Sequence, residues 1–504
     1  MRGKHKSVCQ ACRRRRLGCD GKVPQCTQCT FSGKVCPGYA QILTIIHHKS
    51  EENSSASASA TDYESRSRNW IASIEVDANA PFNNSLGRPR LDGSSISNAS
   101  YSILSDLIIE AYIPTNEIRF LSCRSTTPTL HSRICGSWVD GLVKIKRPSR
   151  HYAVLMAAMR AMCLTFVERG IGRYAETEYV QTYCNVLMAL REALTESSQV
   201  FEADLALASM CLTLSEVMVP TTEGGWQAHV KGVSELIRRC EPHMLCDGIN
   251  HSLFVGFRPL IILQALNDRK SVFLSSEDWI KVPFSRHGAT SMQALLSEAA
   301  VIPSLLESID ALRTVANSEL PVAVSTLHDS LRRVLACLWQ WEQMLIAAAE
   351  GRPLFWEVPS APLRKSEHRL PAKALYFPDV SAANAYVHFW AFQIVCLTQL
   401  DVLRGYSTVP GTSVASDQDD EPLRKNIIAL ATNICQSMEY LMQDEMKLYG
   451  PASTFYALRI VYETVSAFRA AEAGAQIIEW CRGVANCLVK KGLGLATLTL
   501  REVP

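Results

Sequence analysis

The sequence predicts a small metal-stabilised N-terminal block, a flexible linker and a large all-α domain, and three observations carry that prediction. Six of the 18 cysteines fall between Cys9 and Cys36. From about Gln41 to Ser100 the composition shifts to Ser, Asn, Ala and charge. From Tyr101 onward apolar residues return at spacings of three and four, in long stretches free of Pro and Gly. With 504 residues, 47% of them hydrophobic, the chain can bury a sizeable core and form more than one unit.

Residues 1–40 hold nine Lys or Arg and one acidic residue, Asp20, for a net charge of +8, which leaves the remainder at −6. The near-neutral total of +2 therefore hides a strongly basic head suited to a polyanion. Val8, Ala11, Leu17, Val23, Phe31 and Val35 are its core-forming residues, too few to fold by burial alone, so the block needs a metal. Residues 41–100, with runs such as SEENSSASASATDYESRSR, bury too little to offset the entropy of ordering and read as a Ser-rich linker, with one ordered patch near Trp70–Val76.

The expected helices of residues 101–504 include HYAVLMAAMRAMCLTFVERG, FEADLALASMCLTLSEVM, LHDSLRRVLACLWQWEQMLIAAAE and AANAYVHFWAFQIVCLTQLDVLRG, each with an apolar stripe wide enough for packing. Breaks fall at 220–225, 247–250, 268–289, 351–378 and 405–420, most of them rich in turn formers. No fixed-period repeat is present, so the region reads as one irregular helical domain. The acidic run Asp417–Glu421 reads as a solvated loop.

The basic start is followed by no apolar signal region, and no later stretch approaches the ~20 uninterrupted apolar residues a bilayer needs. The expectation is a protein neither secreted nor membrane-spanning, whose cysteines sit in a reducing compartment, where clustered thiols serve as metal ligands or catalysts rather than disulfides. A redox C-x2-C would be expected beside a βαβ pattern, which is missing.

Cys9, Cys12, Cys19, Cys26, Cys29 and Cys36 are spaced C-x2-C-x6-C-x6-C-x2-C-x6-C, two halves with the same internal spacing. Each C-x2-C pair brings two thiolates onto one metal within a turn, and redox-silent, tetrahedral Zn²⁺ suits thiolate ligands. Two tetrahedral zincs need eight sulfur bonds, and six thiolates supply eight when two of them bridge. The cluster then carries −2, which the surrounding cations offset.

The pattern resembles the fungal zinc binuclear cluster (Zn2Cys6) family of transcription factors, in all six ligands, the basic run after Cys12 and the central Pro24. The resemblance implies two Zn²⁺ ions with Cys9 and Cys26 bridging, one ion taking Cys9, Cys12, Cys19 and Cys26 and the other Cys9, Cys26, Cys29 and Cys36. It also implies two short helices after the C-x2-C pairs, the first entering the DNA major groove and presenting Arg13, Arg14, Arg15 and Arg16. Arginine pairs bidentately with guanine O6 and N7, each good pair contributing roughly 1–3 kcal/mol of discrimination. Successive helical residues turn by about 100°, so the four cannot all face base edges. By position Arg16 and then Arg15 match the readers of a CGG-type triplet, while Arg13, Arg14, Lys6, Lys22 and Lys34 are phosphate candidates. Gly18 stands where the family usually has Lys or Arg and removes a phosphate contact.

LALASMCLTLSEVMVPTTEGGWQAHVKGVSELIRRC is similar to the helical regulatory domain commonly found C-terminal to such clusters, through Trp226, His229, Gly232 and Leu236. Trp226, His229, Val233, Leu236 and Ile237 share one helix face, which reads as core packing with Gly232 allowing a close helix approach. No nucleophile elbow, Walker A loop or H-E-x-x-H occurs, so no catalytic residue is assigned and the chain reads as a non-enzyme. Six thiolates on two zincs leave no open coordination position for catalysis. Cys163, Cys211, Cys337 and Cys396, with Trp339, Trp341 and Met344, read as core filler.

The resulting expectation is a nuclear, sequence-specific regulator of RNA polymerase II transcription that binds double-stranded DNA and meets transcription machinery or coregulators, and such relatives often control metabolic or biosynthetic gene sets. The rival is a zinc-stabilised protein-interaction corepressor without its own DNA reading, against which the four arginines and the +8 head weigh. Residues 41–100 show no sustained heptads, so either the chain binds DNA as a monomer or the helical domain supplies a homodimer contact, the second being favoured.

Overall fold

The computed structural model describes Cys12, Cys19 and residues 27–32 of the N-terminal block, and residues 96–115, 117, 137–145, 149–168, 175–196, 201–360, 372–407, 417–468 and 472–500 of the remainder. The chain divides into two compact units, Met1–Glu75 and Val76–Pro504. In the first unit the described structure is one short helix, α1 (Thr27–Phe31), and the helical residue Cys12. Ser32 closes α1, its hydroxyl donating to the carbonyls of Gln28 (2.9 Å) and Cys29 (3.1 Å).

The second unit is largely helical, and its core begins before Tyr101, since Ile96 and Ala99 are buried in it. Its first half contains α2 (Tyr101–Tyr112), α3 (Trp138–Lys144), α4 (Tyr152–Glu168), α5 (Ala175–Glu196), α6 (Ala203–Met218), α7 (Gly225–Arg238) and α8 (Gly248–Asp268). α6 is the central member, packed against α4 and α7, and Asp204–Met218 are all buried. A helix apolar on nearly every side is what such burial requires. Its hydroxyls are satisfied internally: Ser209, Thr213 and Ser215 each donate at 2.8 Å to the carbonyl four residues back.

Short α9 (Glu277–Lys281), α10 (Ser291–Ala299) and α11 (Ile302–Ala311) lead into the second half. This half holds α12 (Leu320–Ala348), α13 (Val380–Ser407), α14 (Asp417–Leu441), α15 (Tyr449–Ser453), α16 (Phe455–Ala467), α17 (Glu472–Lys490) and α18 (Ala496–Thr499). α13 packs against α12, α14 and α16. The halves are tied through backbone as well as side chains: the amides of Gly494 and Leu495 donate to the carbonyls of Met218 (3.0 Å) and Val217 (3.1 Å), and that of Leu448 to Ala111 (3.1 Å).

Close approach is bought by glycine at two places. A Cβ on Gly256 of α8 would lie 2.9 Å from Cβ of Trp138, which sets the contact between α8 and α3. A Cβ on Gly225 would collide with the Glu216 carboxylate, which is buried and accepts from the Thr221 amide at 2.9 Å and from its hydroxyl.

Several expectations are corrected. Gly232 is exposed and a Cβ there would meet nothing, so the close approach belongs to Gly225, seven residues earlier. Trp339 and Met344 are 59% and 62% exposed, whereas Trp341 is buried and its indole N–H donates to Ser291 O at 2.8 Å. The buried stripe of α12 runs through Val324, Leu327, Leu331, Val334, Leu338 and Trp341 at spacings of three and four, and Trp339 and Met344 fall outside it. Cys163, Cys211 and Cys396 are buried, but Cys337 is only partly so. Asp417–Glu421 begin α14 instead of forming a loop; acidic residues are favoured at a helix N-terminus by its dipole. The all-α reading also omits a small antiparallel ribbon, β1 (Trp356–Pro359) with β2 (Lys373–Tyr376), registered Trp356 to Tyr376 and Pro359 to Lys373. Its strands are four residues each, too short for an alternation to register.

Two described helices, Gly248–Asp268 and residues 380–406, are long and apolar enough by length and composition to cross a membrane, and 50% and 78% of their most apolar windows are buried within the unit. The first carries the fully buried Arg258, which donates to Gln293 O (2.8 Å), Gln293 Oε1 (3.1 Å) and Ser297 Oγ (2.9 Å) and lies 5.2 Å from the Phe284 ring. Burial lowers its pKa to about 9, and the interhelical hydrogen bonds replace the water it has lost.

Candidate metal centre and nucleic-acid interface

The first unit's chemistry rests on its thiols. Cys12 and Cys29, 17 residues apart, are both fully buried, and their sulfurs approach to 4.0 Å without a disulfide. A disulfide requires about 2.05 Å, so the two sulfurs remain separate thiol donors. α1 supplies Cys29 from its middle, two residues after its start, so one turn of helix aims that thiol inward while Thr27, Gln28, Thr30 and Phe31 remain exposed. Two soft donors from the two halves of the repeat thus meet at one buried point, where a thiolate-bridged pair of thiophilic metal ions would take one terminal ligand from each half. Cys19 is half-buried. Among the described residues no group of three or more His, Cys, Asp or Glu is gathered to hold a metal ion.

Residues 7–44 match the fungal Zn(2)-Cys(6) binuclear cluster domain. A domain of this kind binds two zinc ions, and its family consists of zinc-dependent DNA-binding transcription factors rather than enzymes. The match spans the cysteine block and leaves the helical unit outside it. No curated protein and no solved structure matches the chain.

Of the sequence-predicted site, Cys12, Cys19 and Cys29 are described and Cys12 and Cys29 are brought together. Cys9, Cys26 and Cys36 lie outside the described residues, as do Arg13, Arg14, Arg15, Arg16, Lys6, Lys22 and Lys34. So do Gly18, Pro24 and residues 33–95, which include most of the expected linker.

In the helical unit, the cysteines expected as filler show no sign of activation. Burial pushes the thiols of Cys211 and Cys396 up to about 12 and raises that of Cys163, so each stays protonated and unreactive. His229 lies within hydrogen-bond distance of the Tyr183 hydroxyl, Nε2 to O 2.7 Å, and burial lowers its pKa to about 4. This neutral imidazole joins α7 to α5 and fits the packing role expected of that helix face.

A feature missed from the sequence is a cavity of about 970 Å³, partly open to solvent, bordered by α6, α7 and α8 on one side and α13, α15, α16 and α18 on the other. Its apolar lining includes Leu214, Val217, Trp226, Leu260, Leu263 and Phe455. Asn384, His388, Tyr456 and Arg459 form a polar patch in its wall. Asn384 and His388 stand four apart on α13, a spacing visible in the sequence, but Tyr456 reaches them only because α16 packs on α13.

Proposed function

We propose that this chain is a zinc-dependent, sequence-specific regulator of RNA polymerase II transcription acting in the nucleus. The observation that carries this reading is the convergence of the buried Cys12 and Cys29 thiols within a segment that matches a two-zinc DNA-binding domain. Cys9, Cys12, Cys19, Cys26, Cys29 and Cys36 would hold the two zincs, with Cys9 and Cys26 shared. Bound zinc supplies the cross-links that a block with so few apolar residues lacks. Arg16 and Arg15 read a CGG-type triplet in the major groove, and Arg13, Arg14, Lys6, Lys22 and Lys34 hold phosphates and fix register. Residues 1–40 form the reading head, 41–100 tether it, and 101–504 form the regulatory body that resembles the helical domain of such regulators and provides the homodimer and coregulator contacts. The +8 head against a −6 remainder supports this division, since the net positive charge that favours DNA is carried by the head.

The test is selection of full-length protein on a randomised duplex pool at two salt concentrations, with zinc measured on the same sample. Two zincs per chain and enrichment of CGG-type triplets that persists at the higher salt are expected. Changing Arg15 and Arg16 together to Ala should abolish the enrichment and leave zinc content unchanged. Two zincs without enrichment would overturn DNA reading in favour of a zinc-stabilised protein-docking module.

A further inference from the structure

We propose that the cavity in the helical unit is a binding site for a small, uncharged, mostly apolar molecule that carries a hydroxyl group. The proposal does not depend on the DNA-binding reading, because every residue of the site lies in the second unit.

The volume, about 970 Å³, is at the upper end of what small-molecule sites enclose, and apolar side chains dominate the wall. The wall also holds polar atoms left without protein partners. Asn384 is 6% exposed; its amide NH2 donates to the Tyr449 hydroxyl, while its Oδ1 is buried and unpartnered. The buried hydroxyl of Tyr456, facing α13 from α16, also has no partner. A buried polar group without a hydrogen bond costs roughly 1–3 kcal/mol, so both atoms are better satisfied by something in the cavity.

His388, 3% exposed, defines what that partner offers. Its Nδ1 bonds the Asn384 carbonyl at 2.8 Å and is therefore the protonated nitrogen, which leaves Nε2 as an acceptor. Its ring lies parallel to that of Tyr456, 3° between planes and 6.0 Å between centroids, placing the two groups side by side. Two of the three groups, Asn384 Oδ1 and His388 Nε2, can only accept, so the ligand must donate, as a hydroxyl does.

The charges around the cavity exclude an ionic ligand. Arg459 is paired with Glu463 at 3.3 Å. Asp247 is paired with His287 at 3.1 Å and Arg286 at 3.2 Å. Asp379 accepts from the Ala382 amide at 2.8 Å at the start of α13. Lys144 is solvent-exposed, donating to Ser252 at 3.0 Å. Asp140 and Glu223, which also line the cavity, have interactions of their own, so among the described residues no charge in the wall is left for a counterion, and a charged ligand would lose hydration without compensation.

The experiment uses full-length protein at pH 7 and N-phenyl-1-naphthylamine, an uncharged probe whose emission rises out of water. It is displaced with 4-phenylphenol or with its methyl ether, 4-methoxybiphenyl, which keeps the shape and loses the donor. The probe should bind, and the phenol should displace it at about tenfold lower concentration than the ether. Tyr456→Phe with Asn384→Leu should bring the two competitors close to parity. Leu260→Trp, which fills the cavity, should abolish probe binding while circular dichroism remains native. If that variant fails to fold, the phenol-to-ether ratio in Tyr456→Phe alone decides, since it removes one oxygen. Absence of probe binding, parity of phenol and ether in the unaltered protein, or a ratio unchanged in Tyr456→Phe with Asn384→Leu would overturn the proposal. Undiminished binding to folded Leu260→Trp would do the same.

Discussion

Acid should weaken the helical unit through His388, and the size of the effect follows from its surroundings. The ring is 3% exposed, and burial lowers its pKa from 6.5 to about 4, against the smaller raising effect of its bond to the Asn384 carbonyl. The unfolded chain therefore binds a proton more readily than the folded one. The stability this group contributes is complete above about pH 6.5 and is lost as pH falls through about 4. Between pH 7 and pH 5 the linkage amounts to about 2 kcal/mol. His229, shifted in the same direction by burial, adds to the decline. Urea unfolding followed by circular dichroism at pH 7, 6 and 5 measures the slope. His388→Phe should cost about 1 kcal/mol at pH 7 for the lost hydrogen bond, while reducing the loss between pH 7 and 5 by about 2 kcal/mol. An unreduced loss in that variant would refute the assignment of the acid sensitivity to His388.

Other perturbations separate the remaining features. Arg258→Ala should destabilise the helical unit by about 3 kcal/mol or more, because it leaves a cavity and strands the Gln293 and Ser297 partners; a shift in urea midpoint at unchanged slope checks this. Gly225→Ala should be strongly destabilising in the native background but nearly neutral beside Glu216→Ala, which removes the colliding carboxylate, and a double-mutant cycle reads the coupling. Cys12→Ser should lower zinc content measured by atomic absorption and weaken DNA binding, with the thermal transition of the helical unit unchanged. Trp339→Ala should leave monomer stability within about 0.5 kcal/mol, since the indole is 59% exposed, and sedimentation of the same variant tests whether α12 serves as a homodimer contact.

The cysteine spacing and the segregation of charge determined by themselves that the first forty residues need a metal and suit a polyanion. Both are local properties: ligands with two or six residues between them can reach a common metal cluster whatever the remainder does, and like charges accumulate wherever they are written. The helices of the second unit were equally legible where an apolar stripe ran for several turns, as in α4, α6 and α13. What escaped were features set by a partner element. Trp339 and Trp341 are indistinguishable in composition, and only the angle at which α12 meets α10 and α13 buries one and exposes the other. The crowded glycine is Gly225 rather than Gly232 because the Glu216 carboxylate folds back over the start of α7. The cavity belongs wholly to tertiary structure. Asn384, His388 and Tyr456 are polar residues in apolar helices, unremarkable along the chain, and become a site because α16 holds Tyr456 beside His388 while α6 and α8 stand off from α13. Periodicity tells which face of a helix turns inward; the volume left between inward faces depends on how whole helices cross.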